Sequence, residues 1–198
     1  MDVRNLRGQF PELREKVYGK PLVYLDNAAT SQRPVSVISK WDELSSKVNA
    51  NLHRAVHHIS ALATAEYESA RDFVKEYLNA SDRSEIIFTP GATASINLVA
   101  FSYGEAFIHE DDEIVVTEAE HHSDIVPWQM LCERKKAKLK VLHVDESGHL
   151  DLEELDSLLN AHTKIVCVAH ISNVLGLVNP VKQIAEKCHE RSCHILVD

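Results

Sequence analysis

The sequence predicts an α/β fold of three layers, a mostly parallel sheet with helices on both faces. Two patterns carry that expectation. From residue 85 onward short apolar runs alternate with longer helical patterns, and the runs are continuous in Val and Ile rather than alternately apolar and polar. Continuous runs suit strands buried on both faces, and the intervening helices are the crossovers that parallel strands require. Those crossovers are expected to be right-handed.

Taken in order, Leu22-Val-Tyr-Leu25 reads as a short strand and Asp26-Asn-Ala-Ala-Thr-Ser31 as a turn of small polar residues. Pro34 starts a helix. Ile59, Leu62, Ala63, Tyr67, Ala70, Val74, Tyr77 and Leu78 recur at steps of three and four, so 59–78 reads as an amphipathic helix with Glu66, Glu68, Arg71 and Lys75 outward. Beyond it come a strand at 85–89, a helix at 92–108, a strand at 113–117, a helix at 123–136 and a strand at 140–144. The rhythm closes with a helix at 151–159, a strand at 164–169, a helix at 180–191 and a last strand at 194–197. Residues 1–20 read as an N-terminal segment and 21–198 as one incomplete large domain.

With 198 residues, 44% hydrophobic and 26% charged, the chain can bury one sizeable core, and its six Gly and six Pro exclude disordered or collagen-like classes. A net charge of -9 argues against a grip on nucleic acid phosphates or anionic lipid. No apolar stretch approaches the roughly 20 residues that span a bilayer, and the first residues lack a signal-like core, so the cytoplasm is the expected location. Cys132, Cys167, Cys188 and Cys193 sit within apolar patterns and read as reduced thiols.

Parallel strands bring the segments that follow them to one edge of the sheet, where ligands bind in such folds. Gly91 should permit a tight turn there, and Ala92-Thr93-Ala94 opens a helix whose free amides suit a phosphate, although Pro-Gly before a Thr is also an ordinary helix start. His121 and His122 fit a metal, a flat stacking surface or a cap. No third and fourth ligand stands at zinc-like spacing, and no metal site is expected. Asn173 fits a ligand contact or a turn that bonds its own backbone. Asp198, at the carboxyl end of the last strand, offers a carboxylate to a ligand or to solvent.

The whole set resembles the fold-type I pyridoxal-phosphate enzymes, and more narrowly the SufS-type cysteine desulfurases of the class V aminotransferase family. The resembling segments are Tyr24-Leu-Asp-Asn-Ala-Ala-Thr-Ser31, Asn51-Leu-His-Arg-Ala-Val-His57, Gly91-Ala-Thr93 and Ile96-Asn-Leu-Val-Ala100. Others are Glu120-His-His-Ser-Asp-Ile-Val-Pro-Trp-Gln129, Gly148-His-Leu-Asp-Leu-Glu-Glu-Leu155, His170-Ile-Ser-Asn-Val-Leu-Gly176 and Leu196-Val-Asp198. The resemblance implies pyridoxal 5′-phosphate as cofactor, its phosphate held by Ala92 and Thr93 and its ring stacked under His121. It further implies Asn173 on the phenolic oxygen and Asp198 on the pyridine nitrogen, with His121 also a catalytic acid or base. Asn27, Ala28, Ala29, His53 and Arg54 match substrate-facing loops, the last two across a dimer interface.

Two positions depart from the family's habit: Ala55 stands where Gly is common, and Ala94 where an acidic residue is common. The lysine that holds the cofactor, the cysteine that takes the sulfur and the arginine for the substrate carboxylate match nothing in this sequence. The resemblance therefore implies the N-terminal portion of a desulfurase that lacks its small C-terminal domain and is inactive alone. In full it would take sulfur from L-cysteine as an enzyme persulfide, pass it to an acceptor or scaffold protein for iron–sulfur cluster assembly, and work as a homodimer. Rival readings are a selenocysteine lyase, kynureninase or aminotransferase of the same class, a non-catalytic partner of a complete subunit, and a metal-binding α/β domain.

Overall fold

The computed structural model describes residues 3–198, in two compact units divided between Ile87 and Phe88. The first unit opens with a short helix, α1 (Val3–Arg7), and a two-residue hairpin, β1 (Lys16–Val17) and β2 (Lys20–Pro21). Its turn, Tyr18-Gly19, takes left-handed φ at both residues, 54° and 76°, the geometry that matches strand twist. Leu22–Leu25 is not a strand. One backbone bond, from the Leu22 amide to Glu15, holds its start, and without a neighbouring ladder the rest takes no regular structure, with Val23 and Leu25 exposed.

The turn expected at Asn27–Ala29 is present, closed by the amides of Ala29 and Thr30 on the Asp26 carbonyl. Pro34 caps α2 (Val35–Lys47). The long helix is α3 (His58–Tyr77), capped by His57, whose Nδ1 accepts the Ser60 amide. Its buried residues are Ser60 and Ala63, while Ile59, Leu62 and Tyr77 are exposed. Glu68 and Arg71, expected to face outward, are instead largely covered: Glu68 gathers His53, Arg71 and Arg83 within 3.6 Å. Two guanidinium groups and an imidazole around one carboxylate hold it against the helix.

In the second unit α4 (Ala92–Val99) runs through a wider π turn, Ala100–Gly104, into α5 (Glu105–Phe107). The strand expected at 85–89 is absent: Arg83–Glu85 forms a 3-10 turn under an Asp82 cap, and no neighbouring strand pairs with residues 86–89. The remaining elements keep the predicted rhythm as β3 (Glu113–Thr117), α6 (Val126–Lys135), β4 (Lys138–Leu142), α7 (Leu152–Leu158), β5 (Thr163–Val168), α8 (Val181–Glu190) and β6 (His194–Val197). β4 lies two residues earlier than expected because Val144 leaves the ladder to bridge Leu150.

The sheet order is β4-β3-β5-β6, and every pair is parallel. β3 and β5 are central and buried on both faces, as their continuous apolar runs require. Ile114 and Val116 face one core with Ile96, Ala100, Trp128 and Leu131, covered by α4 and α6. Val115 faces the other with Leu142, Leu155, Val166 and Ile184, covered by α7 and α8. The predicted three layers are therefore present.

Helix faces obey the same logic. α6 buries Trp128, Leu131 and Cys132 at three- and four-residue steps and ends at Lys136 in a left-handed φ of 57°. Asp151 caps α7 through the amides of Glu153 and Glu154. Gly104 sits where a Cβ would strike the buried Leu131 side chain. Gly104→Ala is expected to cost about 1–3 kcal/mol by overpacking, measurable as a lower denaturant midpoint with unchanged slope.

Candidate functional site

The carboxyl ends of β3, β5 and β6 lie side by side because the three strands are parallel neighbours. His121, Asn173 and Asp198 come after those three ends, so one edge of the sheet collects them. The backbone continues the pairing past the strands: the His170 amide bonds the Asp198 carbonyl at 2.7 Å, and the Asp198 amide bonds Val168 at 3.1 Å. The turn that leads into α6, His122–Asp124, packs beside α4, which brings Ala92 and Thr93 to the same neighbourhood.

At the start of α4 the amides of Ala94 and Ser95 bond Gly91, whereas those of Ala92 and Thr93 have no protein acceptor among the described residues. Both residues are exposed, and no atom lies within 4 Å of where a Cβ on Gly91 would sit. Gly91 does not make the tight turn expected of it; its φ of 160° is extended backbone, and what glycine contributes is open space before free donors. Donors of this kind at the positive end of a helix suit a phosphate.

His121 caps the turn after β3. Its Nδ1 accepts the Ser123 amide at 3.1 Å and lies 2.7 Å from the Ser123 hydroxyl, which fixes the ring and leaves Nε2 to carry the proton of the neutral form. The His122 ring stands edge-on to it at 6.3 Å. Asn173 is exposed at the tip of a turn and makes no bond to its own backbone. The loop is pinned by others: the Ser172 hydroxyl accepts the Leu175 amide, and the Asn179 side chain donates to the Ala169 carbonyl at 2.8 Å.

Sequence reasoning missed Glu120 and Asp124, both buried beneath this edge. Glu120 Oε1 accepts the Thr117 hydroxyl at 2.6 Å and the Ala169 amide at 2.9 Å, tying the end of β3 to the end of β5. Asp124 Oδ1 accepts the Trp128 indole at 2.9 Å. Burial pushes Asp124 up to about 7, against the bond from Trp128 and helped by the charges of Glu120 and Asp198. Burial raises Glu120 as well, opposed by its bonds to Thr117 and Ala169. A carboxylate three residues after an apolar strand end was the available signal for Glu120; nothing local marks Asp124.

Asn27, Ala28, Ala29, His53 and Arg54 all lie in the first unit. The Asn27 amide donates to Gln32 at 3.0 Å. His53 has a left-handed φ of 61°, its amide donates to the Thr64 hydroxyl, and its ring contacts Glu68 at 3.2 Å. Arg54 is exposed. The four cysteines are free and buried. Burial lifts Cys132 to about 11 and Cys167 far above the usual thiol range, and a bond to Cys188 raises Cys193 while lowering Cys188. Among the described residues no three His, Cys, Asp or Glu form a metal cluster, and no helix is long and apolar enough to cross a membrane.

Residues 23–198 match the family model described as aminotransferase class-V. A probable cysteine desulfurase of Halalkalibacterium halodurans is 46% identical over the whole chain and 49% of its own length. The cysteine desulfurase of Enterobacter sp. is 47% identical over 99% of the chain and 48% of its own length. Among solved structures, the apo cysteine desulfurase of Thermococcus onnurineus superposes with a TM-score of 0.90 at 36% identity, covering 98% of this chain and 46% of its own. The desulfurase CsdA of Escherichia coli gives 0.86 at 33%, covering all of this chain and 48% of its own. The chain thus spans about half the length of the relatives it matches.

Asp124 supplies a pH dependence whose sign is fixed. Its folded value of about 7 stands above its ordinary 3.8, so the folded state keeps a proton that the unfolded state releases between them. The associated stability is complete below the lower value and is lost as pH rises through the upper one. The melting temperature is therefore expected to fall between about pH 4 and about pH 7, and to fall less in Asp124→Asn, whose side chain cannot ionise. Equal slopes in thermal melts of the two proteins would count against the assignment.

Proposed function

The chain belongs to the class-V aminotransferase family, and from that premise we propose that it is the N-terminal portion of a SufS-type cysteine desulfurase serving iron–sulfur cluster assembly. Cysteine desulfurases of this family depend on pyridoxal 5′-phosphate. The observation that supports the reading is the sharing of one sheet edge by acceptor-free amides, an oriented imidazole, an exposed amide and an exposed carboxylate. Those donor and acceptor types fit the cofactor's phosphate, ring face, phenolic oxygen and ring nitrogen.

In this proposal Ala92 and Thr93 hold the phosphate, His121 lies on the ring, Asn173 donates to the phenolic oxygen and Asp198 pairs with the ring nitrogen. The bound cofactor supplies an electron-withdrawing ring that accepts the electrons released at the substrate α-carbon. Asp198 contributes by keeping a proton on the ring nitrogen. Because Ser123 occupies Nδ1 of His121, a proton held or passed by this residue resides on Nε2. Asn27, Ala28, Ala29, His53 and Arg54 are assigned to substrate-facing loops on resemblance.

Written as a balance, L-cysteine loses its C–S bond, its carbon takes a proton to become alanine, and the sulfur joins an enzyme thiol as a persulfide. None of the four cysteines here suits that thiol, since all are buried and three are pushed away from the thiolate. The acceptor thiol, the cofactor lysine and the substrate arginine are assigned to sequence outside these residues. The chain alone is then without turnover, and homodimerisation, a cytoplasmic setting and a sulfur-acceptor protein belong to the same proposal.

A protein joining this chain to its remaining half, supplied with pyridoxal 5′-phosphate, is expected to release one alanine from L-cysteine per persulfide formed. Absence of alanine overturns the reading. Thr93→Ala in that protein is expected to weaken cofactor binding about tenfold, the loss of one charge-assisted bond, as read by fluorescence titration.

A further inference from the structure

Glu120 and Asp124 carry out no step above, yet both are buried acids beside Asp198. Each uses one oxygen and leaves the other over. Glu120 Oε2 and Asp124 Oδ2 are buried and have no hydrogen-bond partner when both groups are carboxylates. Two buried acceptors without partners are costly, and one proton shared by the two groups removes the cost for both. Their carboxyl groups are close enough to hydrogen-bond to each other.

The surrounding groups agree. The pair faces the Thr117 hydroxyl on β3, the Ala169 amide and the Cys167 thiol on β5, the Trp128 indole on α6 and the Asp198 carboxylate beyond β6. None of these is a cation. Nothing in that shell can neutralise a second charge, and Asp198 repels one.

We propose that Glu120 and Asp124 act as one acid sharing a single proton between Oε2 and Oδ2, and so hold one fixed negative charge beside Asp198. They are positioning residues, not catalytic ones. The charge resides on Glu120, where two donors meet on Oε1, while protonated Asp124 donates from Oδ2 and accepts the indole N–H on Oδ1. A fixed charge beside Asp198 favours a proton on whatever base Asp198 binds. That last consequence rests on the assignment of Asp198 to the cofactor's ring nitrogen; the shared proton does not.

The test uses amide replacements, because an amide mimics a protonated carboxyl. Asp124→Asn and Glu120→Gln each leave one carboxylate and one donor, conserving the single charge, whereas the double variant removes it. Carbon-13 NMR of labelled carboxyl groups in the cofactor-free chain is expected to show one proton shared by two coupled signals, titrating near neutrality. Each single variant should lose that titration and keep one ionised carboxylate down to acid pH. Two independent titrations below about pH 5 in the unaltered chain would overturn the shared proton.

With pyridoxal 5′-phosphate added, the pH at which the bound ring nitrogen loses its proton, followed by absorbance, is expected to match the unaltered chain in both single variants. In the double variant it should drop by about one unit. A double variant that does not move it overturns the role of the charge. Failure of every variant, the unaltered chain included, to bind the cofactor would sink the assignment of Asp198 and leave the NMR result on the pair intact. Circular dichroism of each variant confirms folding, and retention of the indole bond by Asn distinguishes Asp124→Asn from Asp124→Ala, which orphans both neighbours.

Discussion

The parallel pairing of β3 with β5 and of β5 with β6 is the constraint on which the candidate site depends. Parallel neighbours finish at the same edge, so residues separated by more than fifty positions in sequence, His121 and Asn173 among them, emerge beside one another. The pairing in turn rests on β3 and β5 being apolar on both faces, with Val115 in one core and Val116 in the other. A one-residue slip would exchange those faces without exposing either, so the apolar pattern alone fixes register weakly here. Polar bonds at the edge supply what is missing. Glu120 Oε1 locks the end of β3 to Ala169, and His170 and Asp198 lock β5 to β6 through their backbones.

How much of this was legible in the sequence differs between the two units for a physical reason. In the second unit β3 and β6 fall where the Val- and Ile-rich runs place them, because each run finds a parallel neighbour. Glu85–Thr89 carries a similar apolar run yet forms no strand, since a strand is a relation between two segments and sequence shows one at a time. The same holds for Leu22–Leu25. On α3 the periodicity located the helix well, but not the ion cluster around Glu68, because His53 and Arg83 reach it from outside the helix that carries Glu68 and Arg71.

At the site the division is similar. The places of Thr93, His121, Asn173 and Asp198 in the fold were readable because each comes after a strand or opens a helix, and position relative to an element is a local property. Glu120 and Asp124 were not, because their significance lies in partners contributed by β5, α6 and the end of β6. Gly91 was misread for the opposite reason. Its identity suggested a tight turn, whereas the chain uses only its missing side chain.

The exposed groups at this edge are oriented without being buried, and the acids beneath are buried without a cation beside them. That arrangement has a cost, since an acid held at about 7 within the fold weakens it at neutral pH. Replacing both acids with apolar residues would relieve the cost, but Thr117, Ala169 and Trp128 would each lose the acceptor they now donate to. The strand ends would then be free to shift, and with them the backbone that positions His121 and Asp198. Stability and geometry therefore pull in opposite directions at the same two side chains. The two apolar cores on either side of β3 and β5 are what allow the edge to carry a strained electrostatic arrangement.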